Sequence, residues 1–309
     1  MSEVAPAWSV VVPVYNKAPY VEATLRSVLA QQCAGDFEIV VVDDGSRDGS
    51  AAIVQAMADP RIRLMIQANA GVSAARNNAV RQCRGEFVVF LDGDDLHHPE
   101  CLSRLAALRR QFPVADMLAG GYVRVAHEDM ASYRFEPLAD VPGELMRDVP
   151  ARFLQLGMPF FTSSIAVRRA LFECLDVWFP EGENMGEDLD LWLRLAERGP
   201  VAYTAAPLAV YRVGRSDSLM GSYRDAVWLP VWRRLRQRAL TGPMPSHLRS
   251  SSLRLAAEME ITLARRLARA GRRREAWRHL CMARAAARGH RWWITALGLS
   301  TGWKSLLNR

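Results

Sequence analysis

Two acidic clusters mark where this sequence could do chemistry. Asp43-Asp44-Gly45-Ser46 follows the apolar run Glu38–Val42, and Asp92-Gly93-Asp94-Asp95 follows Phe87–Leu91. Carboxylates gathered at one place repel unless a cation or a hydrogen-bonding ligand lies between them. A hard divalent ion bridging phosphate oxygens is the usual remedy, since Mg2+ and Mn2+ take one or two carboxylates together with phosphate. Asp-Gly and Asp-Asp also cap turns, but two such clusters at strand ends favour the ligand reading. A third acidic stretch, Glu181 to Asp188, runs into a helical apolar pattern, where first-turn carboxylates are favoured by the helix dipole. Asp95 reads as the N-cap before Pro99-Glu100. His97 and His98, adjacent in a strand-to-helix loop, are expected to be solvated rather than ligands.

The elements that must position these groups alternate. Val10–Val14, Glu38–Val42, Arg61–Ile66 and Phe87–Leu91 are short aliphatic runs ended by turn residues, the pattern of strands. Val21, Leu25, Val28 and Leu29 share a helical face. Ser50 and Ser73 are the expected N-caps of helices through Met57 and Arg81. Such apolar strands, separated by helices, predict an α/β fold with a mostly parallel central sheet covered on both faces. The strands' C-terminal ends then share one edge, where ligands bind in open α/β sheets. Further on, Tyr122–Val125 and Ser164–Val167 read as strands and Asp188–Arg198 as a helix. From Tyr223 the pattern is helical, broken at Thr241–Ser246, with Ala264–Ala287 reading as two short helices around Gly271.

Half of the 309 residues are hydrophobic and 24% are charged, which excludes a disordered chain, a collagen-like repeat or a rod. No run reaches the roughly 18 apolar residues of a spanning helix. The N-terminus lacks the basic-then-apolar order of a secretory signal. Five scattered cysteines suit a reducing compartment. These features together predict a soluble, cytoplasmic chain. Charge is uneven: residues 224–309 carry 19 Lys+Arg against 4 Asp+Glu, and residues 1–223 carry 21 against 29. Six of the nine tryptophans fall in the basic segment. Basic helices with Trp suit an anionic membrane surface. A small helical subdomain with its tryptophans packed inward suits the same pattern, and Ala268–Trp277 is loosely similar to a tetratricopeptide turn. No recognition motif accompanies the charge, so no nucleic acid partner is expected. No GxGxxG follows the first strand, which argues against hydride transfer.

In order, SVVVPVYN, EIVVVDDGSRDGS, NAGVSAARN and EFVVFLDGDD resemble glycosyltransferase family 2, over about residues 8–215. The resemblance implies a GT-A fold in residues 1–222, with a donor-binding half at about 8–120 and an acceptor half at about 121–222. Residues 223–309 are then a basic, Trp-rich helical extension. It implies an inverting transferase moving a sugar from a nucleotide-diphosphate donor, by family weight a UDP-sugar, to a hydroxyl of a glycan or lipid-linked acceptor. A divalent metal, Mg2+ or Mn2+, is the implied cofactor. The implied setting is bacterial surface-polysaccharide assembly, peripheral on the cytoplasmic face of the inner membrane.

By position in the family's motifs, Pro13, Tyr15 and Asp44 hold the nucleobase and Arg76 approaches the nucleotide. Asp92 lies near the ribose and metal, and Asp94 ligates the metal. Arg76 reads equally as a solvated helix residue or an internal salt bridge. Glu187-Asp188 before Leu-Trp-Leu-Arg resembles the family's ED motif, which implies Asp188 as the base that deprotonates the acceptor, with Glu187 as the other candidate. Trp192 either faces the acceptor or packs. After Tyr211-Arg212 the sequence has Gly214 and Arg215 where many members have a histidine, so Arg212 or Arg215 is a candidate phosphate clamp. The other reading of the whole is a non-catalytic nucleotide-sugar binder whose helical tail recruits partners.

Overall fold

The computed structural model describes residues 5–32, 35–183, 185–214, 229–284 and 289–301. In chain order come β1 (Trp8–Val14), α1 (Val21–Leu29), β2 (Phe37–Asp43), α2 (Ser50–Ala56), β3 (Ile62–Ile66), α3 (Val72–Gln82) and β4 (Phe87–Phe90). Next are β5 (Leu96–His97), α4 (Cys101–Gln111), β6 (Met117–Ala126), β7 (Glu144–Met146), α5 (Val149–Leu156), β8 (Ile165–Arg168) and α6 (Ala170–Glu173). The chain continues through α7 (Glu187–Ala196), β9 (Val201–Val213), α8 (Pro230–Thr241), α9 (Ser246–Arg269), α10 (Arg273–Met282) and α11 (His290–Thr301). Residues 1–147 with 158–216 form one compact unit, and residues 148–157 with 217–309 form another.

The first unit is built on one sheet of order β3-β2-β1-β4-β8-β6-β9-β5, with β7 also pairing to β9. The pairs β1–β2, β1–β4 and β2–β3 are parallel. Every residue of β1 and β2 is buried, as strands covered on both faces require. Val10, Val12, Ile39, Val41 and Val89 pack with Leu25 of α1 and with Leu102 and Leu105 of α4. Each such side chain contributes about 1.5–3 kcal/mol of burial. The later half of the sheet is mixed: β8 is antiparallel to β4 and β6, while β6 and β9 run parallel. Strict strand–helix alternation ends there because antiparallel neighbours need no helical crossover.

Neither Ser50 nor Ser73 is an N-cap. Gly49 and Gly71 hold those positions at φ +89° and +90°. The hydroxyls take other partners: Ser50 donates to Asp48 at 2.5 Å and accepts from the Lys17 amide at 2.8 Å. Ser73 donates to the Glu183 carbonyl at 3.2 Å. Trp192 is buried against Phe90 and Phe179, the packing alternative.

The second unit is helical. Asp148 caps α5, accepting from the Ala151 amide and from Ser251 of α9, both at 2.8 Å. Gly271, at φ +80°, follows the C-cap Ala270 of α9 and turns the chain into α10. The first of the two expected short helices is therefore the end of a 24-residue one. Ile261, Ala264, Leu267, Leu280 and Leu299 form its core, with Trp277 and Trp292 packed against them. Trp232 is buried beside Phe153, whereas Trp293 is exposed. Trp228 and Trp303 lie outside the described residues. Among the described residues no helix is long and apolar enough to cross a membrane.

Candidate active site

Parallel register brings the C-terminal ends of β1 and β2 side by side, with Val14 opposite Asp43. Pro13 lies beyond Val11, the last residue of β1 that pairs with β4, so the proline interrupts no ladder on that side. Tyr15 follows at 46% exposure, a large aromatic surface at the sheet edge. Asp44 is buried and its carboxylate accepts four hydrogen bonds. Gln67 Nε2 (2.7 Å) and the Ala70 amide (2.9 Å) bind Oδ1, while the Gly71 amide (2.8 Å) and Asn69 Nδ2 (3.2 Å) bind Oδ2. Asp44 thereby shapes the 67–71 loop that enters α3. Gly93 answers a close approach: a Cβ there would stand 2.9 Å from the Pro13 carbonyl, so the acidic loop after β4 closes directly on β1.

Two cations meet Asp94. Lys17 Nζ lies 2.8 Å from Oδ2, and Arg212 Nε donates to the Asp94 carbonyl at 2.9 Å while its guanidinium covers the Tyr20 ring. Arg215 lies outside the described residues. Asp95 does not cap α4, whose N-cap is Glu100. It is buried instead, accepting from Ser163 Oγ (2.7 Å) and the Arg212 amide (3.1 Å). Burial and then the charge of Asp92 push its carboxyl up to about 8. The two histidines are buried, not solvated. His97 Nε2 donates to the Ser163 carbonyl and His98 Nε2 to that of Glu136, each at 2.9 Å. Burial lowers His97 to about 4, which keeps it neutral.

Asp92 and Asp94 offer hard carboxylate oxygens. Among the described residues no group of three His, Cys, Asp or Glu side chains closes around a metal. That donor set suits Mg2+ or Mn2+, whose other positions go to phosphate and water. Here Lys17 supplies the cation on Asp94.

Arg76 of α3 joins this edge to α7. Its guanidinium is 4% exposed, with Nη2 donating to Asp92 Oδ1 at 2.7 Å and Nη1 to Glu187 Oε1 at 2.8 Å. Burial lowers its basicity, but the charges of Asp92, Glu187 and Asp188 outweigh burial and hold it above its ordinary value. The internal salt bridge is present, and the solvated helix position is not. Burial and the neighbouring Asp188 raise the Glu187 carboxyl, against the opposing charge of Arg76. Asp188 is half-buried and has a neutral partner: Oδ2 accepts from Thr162 Oγ1 at 2.6 Å, and Oδ1 from the Leu189 amide at 2.6 Å.

Thr162 and Ser163 escaped the sequence reading. They occupy a single 3-10 turn, Thr162–Ser164, in which Thr162 holds Asp188 while Ser163 binds Asp95, the Asp92 amide and His97. The only signal was a short hydroxyl run ahead of β8, which has no signature of its own. Thr162→Val should lower kcat about tenfold with nucleotide affinity unchanged, since a hydrogen bond to a charged group is worth about 1.5–3 kcal/mol. Steady-state kinetics beside a nucleotide titration checks this.

The profile of the family described as Glycosyl transferase family 2 matches residues 9–175. The chain is 30% identical over 234 residues to the uncharacterized glycosyltransferase EpsJ of Bacillus subtilis, covering 72% of this chain and 65% of EpsJ. It is 29% identical over 222 residues to the succinoglycan biosynthesis protein ExoU of Rhizobium meliloti, covering 70% and 64%. It therefore spans under two thirds of the length of either relative. Among solved structures, S. aureus TarS in complex with UDP-GlcNAc superposes with a TM-score of 0.65 at 20% identity, covering 96% of this chain and 92% of that one. The mannosyltransferase PcManGT from Pyrobaculum calidifontis, in complex with GDP-Man and Mn2+, gives 0.59 at 21%, covering 98% and 84%. These likenesses show the fold, a GT-A sheet followed by helices. The profile spans more than half of the sequence, and this chain belongs to glycosyl transferase family 2.

Proposed function

We propose that this chain transfers a sugar from a UDP-sugar to an acceptor hydroxyl with inversion, in the assembly of a cell-surface polysaccharide. One observation carries the reading: Arg76 ties Asp92, at the donor edge, to Glu187, whose neighbour Asp188 remains accessible and oriented by Thr162. The base of the nucleotide lies against Tyr15 and Pro13, with Asp44 holding the surrounding 67–71 loop. Asp92 faces the ribose. Asp94 would hold a divalent ion, which supplies Lewis-acid neutralisation of the diphosphate. Asp188 takes the proton of the acceptor hydroxyl. The acceptor oxygen bonds to the anomeric carbon from the face opposite the diphosphate, and the bond to the diphosphate oxygen breaks. An α-linked donor therefore gives a β-linked product. Glu187, buried and ion-paired, positions the loop rather than the proton.

The UDP-GlcNAc held by TarS supports the donor class, and the Mn2+ of PcManGT supports the metal. ExoU, by its name a polysaccharide biosynthesis protein, supports the setting, and the acceptor is then a glycan or lipid-linked glycan on the cytoplasmic face. The test is a thermal-shift titration with UDP, GDP, CDP and dTDP, each with and without Mn2+. A selective ligand at a hundred times its Kd stabilises the fold by about 2.7 kcal/mol. A Mn2+-dependent shift with UDP, lost in Asp94→Ala, is the expected result. A flat response to all four sinks the proposal. Binding by UDP with no transfer to any glycan acceptor and no donor hydrolysis favours the non-catalytic binder.

A further inference from the structure

A cavity of about 540 Å3 lies within the second unit, among α8, α9 and α10. Arg236, Arg278 and Arg284 line it, and Glu260 is the one carboxylate in its wall. The charge of Arg236 acts on Glu260, and that of Arg278 on Glu275, outside the cavity wall. The lining therefore sets three guanidiniums against one carboxylate. Glu260 is buried, with Oε2 bound to His279 Nδ1 at 2.5 Å and Oε1 lacking a hydrogen-bond partner. Burial raises its carboxyl, and the charges of His279 and Arg236 oppose that rise.

The same cavity gathers apolar surface. Leu240 is 56% exposed and Met282 41% exposed, and both line it together with Leu253. Solvated helices scatter their exposed apolar side chains, so grouping them around three arginines marks a binding surface. The volume falls within the about 300–1,000 Å3 of small-molecule sites, which have apolar walls and a few placed polar groups. Guanidinium forks match phosphate oxygens.

We propose that this cavity binds an anionic amphiphile, a phosphate monoester on a hydrocarbon chain. Arg236, Arg278 and Arg284 take the phosphate, and Leu240, Leu253 and Met282 take the chain. None of these residues belongs to the candidate active site, so the inference stands apart from the transferase reading.

Cys281 makes the site testable, since this exposed free thiol lines the cavity and Cys174, also exposed, lies in the other unit. The full chain is alkylated with N-ethylmaleimide and each cysteine is followed by peptide mass spectrometry. Dodecyl phosphate below its micelle concentration, at ten times its Kd, should slow Cys281 about tenfold and leave Cys174 unchanged. Inorganic phosphate and dodecyl maltoside at the same concentration should slow neither. Arg278→Gln removes an exposed side chain, and loss of one charged contact weakens binding roughly tenfold. Protection in that variant should fall to about twofold, while Asp188→Asn keeps it in full. Equal protection by inorganic phosphate means the chain is not recognised, and equal protection by the maltoside means the charge is not. Either result, no protection by dodecyl phosphate, or full protection in a folded Arg278→Gln protein overturns the proposal.

Discussion

Asp188→Asn is expected to lower kcat for sugar transfer by about 10²–10⁴-fold, the usual contribution of a positioned general base. Asparagine keeps the shape of the side chain: its oxygen can accept from the Leu189 amide, as Asp188 Oδ1 does, while its NH2 donates to the Thr162 hydroxyl, which lies 2.6 Å from Asp188 Oδ2. It loses the basicity and reverses one hydrogen bond. The thermal midpoint and the affinity for UDP should stay near wild type. Glu187→Gln makes the informative companion, because Glu187 is buried and bound to Arg76 at 2.8 Å. Its effect should fall mainly on stability. The assignment fails if Asp188→Asn transfers sugar at the wild-type rate while Glu187→Gln folds normally and does not.

Arg76→Met should give the largest loss of stability. Removing one partner of a buried ion pair leaves an uncompensated charge and costs about 3–5 kcal/mol. Here two carboxylates lose their cation, Asp92 and the buried Glu187. For a unit of this size the midpoint falls by about 6–20 °C. The loss also depends on pH. Arg76 is the nearby charge that lowers the Glu187 carboxyl against burial and Asp188, so its removal sends that carboxyl further up. A group whose folded value is raised contributes stability at low pH and loses it as pH rises through that value. The gap between variant and wild type should therefore be smallest in acid and widen towards neutrality. Thermal melts of both proteins across pH 5–8 decide this; a gap that stays constant with pH would show that the pair carries no buried charge.

The first half of the sheet was legible because its signals are local. Val10–Val14 and Glu38–Val42 announce buried strands, and each falls within an observed one, Trp8–Val14 and Phe37–Asp43. In the mixed later half Tyr122–Val125 and most of Ser164–Val167 fall on β6 and β8, but β5 and β7 escaped, since they have two and three residues and exist only by pairing with β9. Polar residues misled in a consistent direction. Ser50, Ser73, Asp95 and His97 all read as local caps or solvated groups, yet each bonds a partner that folding brings from elsewhere in the chain. Glycine explains the caps: Gly49 and Gly71 take the positive φ that starts the helices and free both serines for other contacts.

The sequence by itself determined the order of the early strands and helices, and which acids stand at the strand ends, because period and turn chemistry act over a few residues. Only the tertiary structure decided which partner each acid takes. Arg76 reaches Asp92 across 16 positions and Glu187 across 111. Thr162 reaches Asp188 across 26. Those pairings depend on sheet order and on how closely Gly93 lets the β4 loop approach β1, which no local spacing contains.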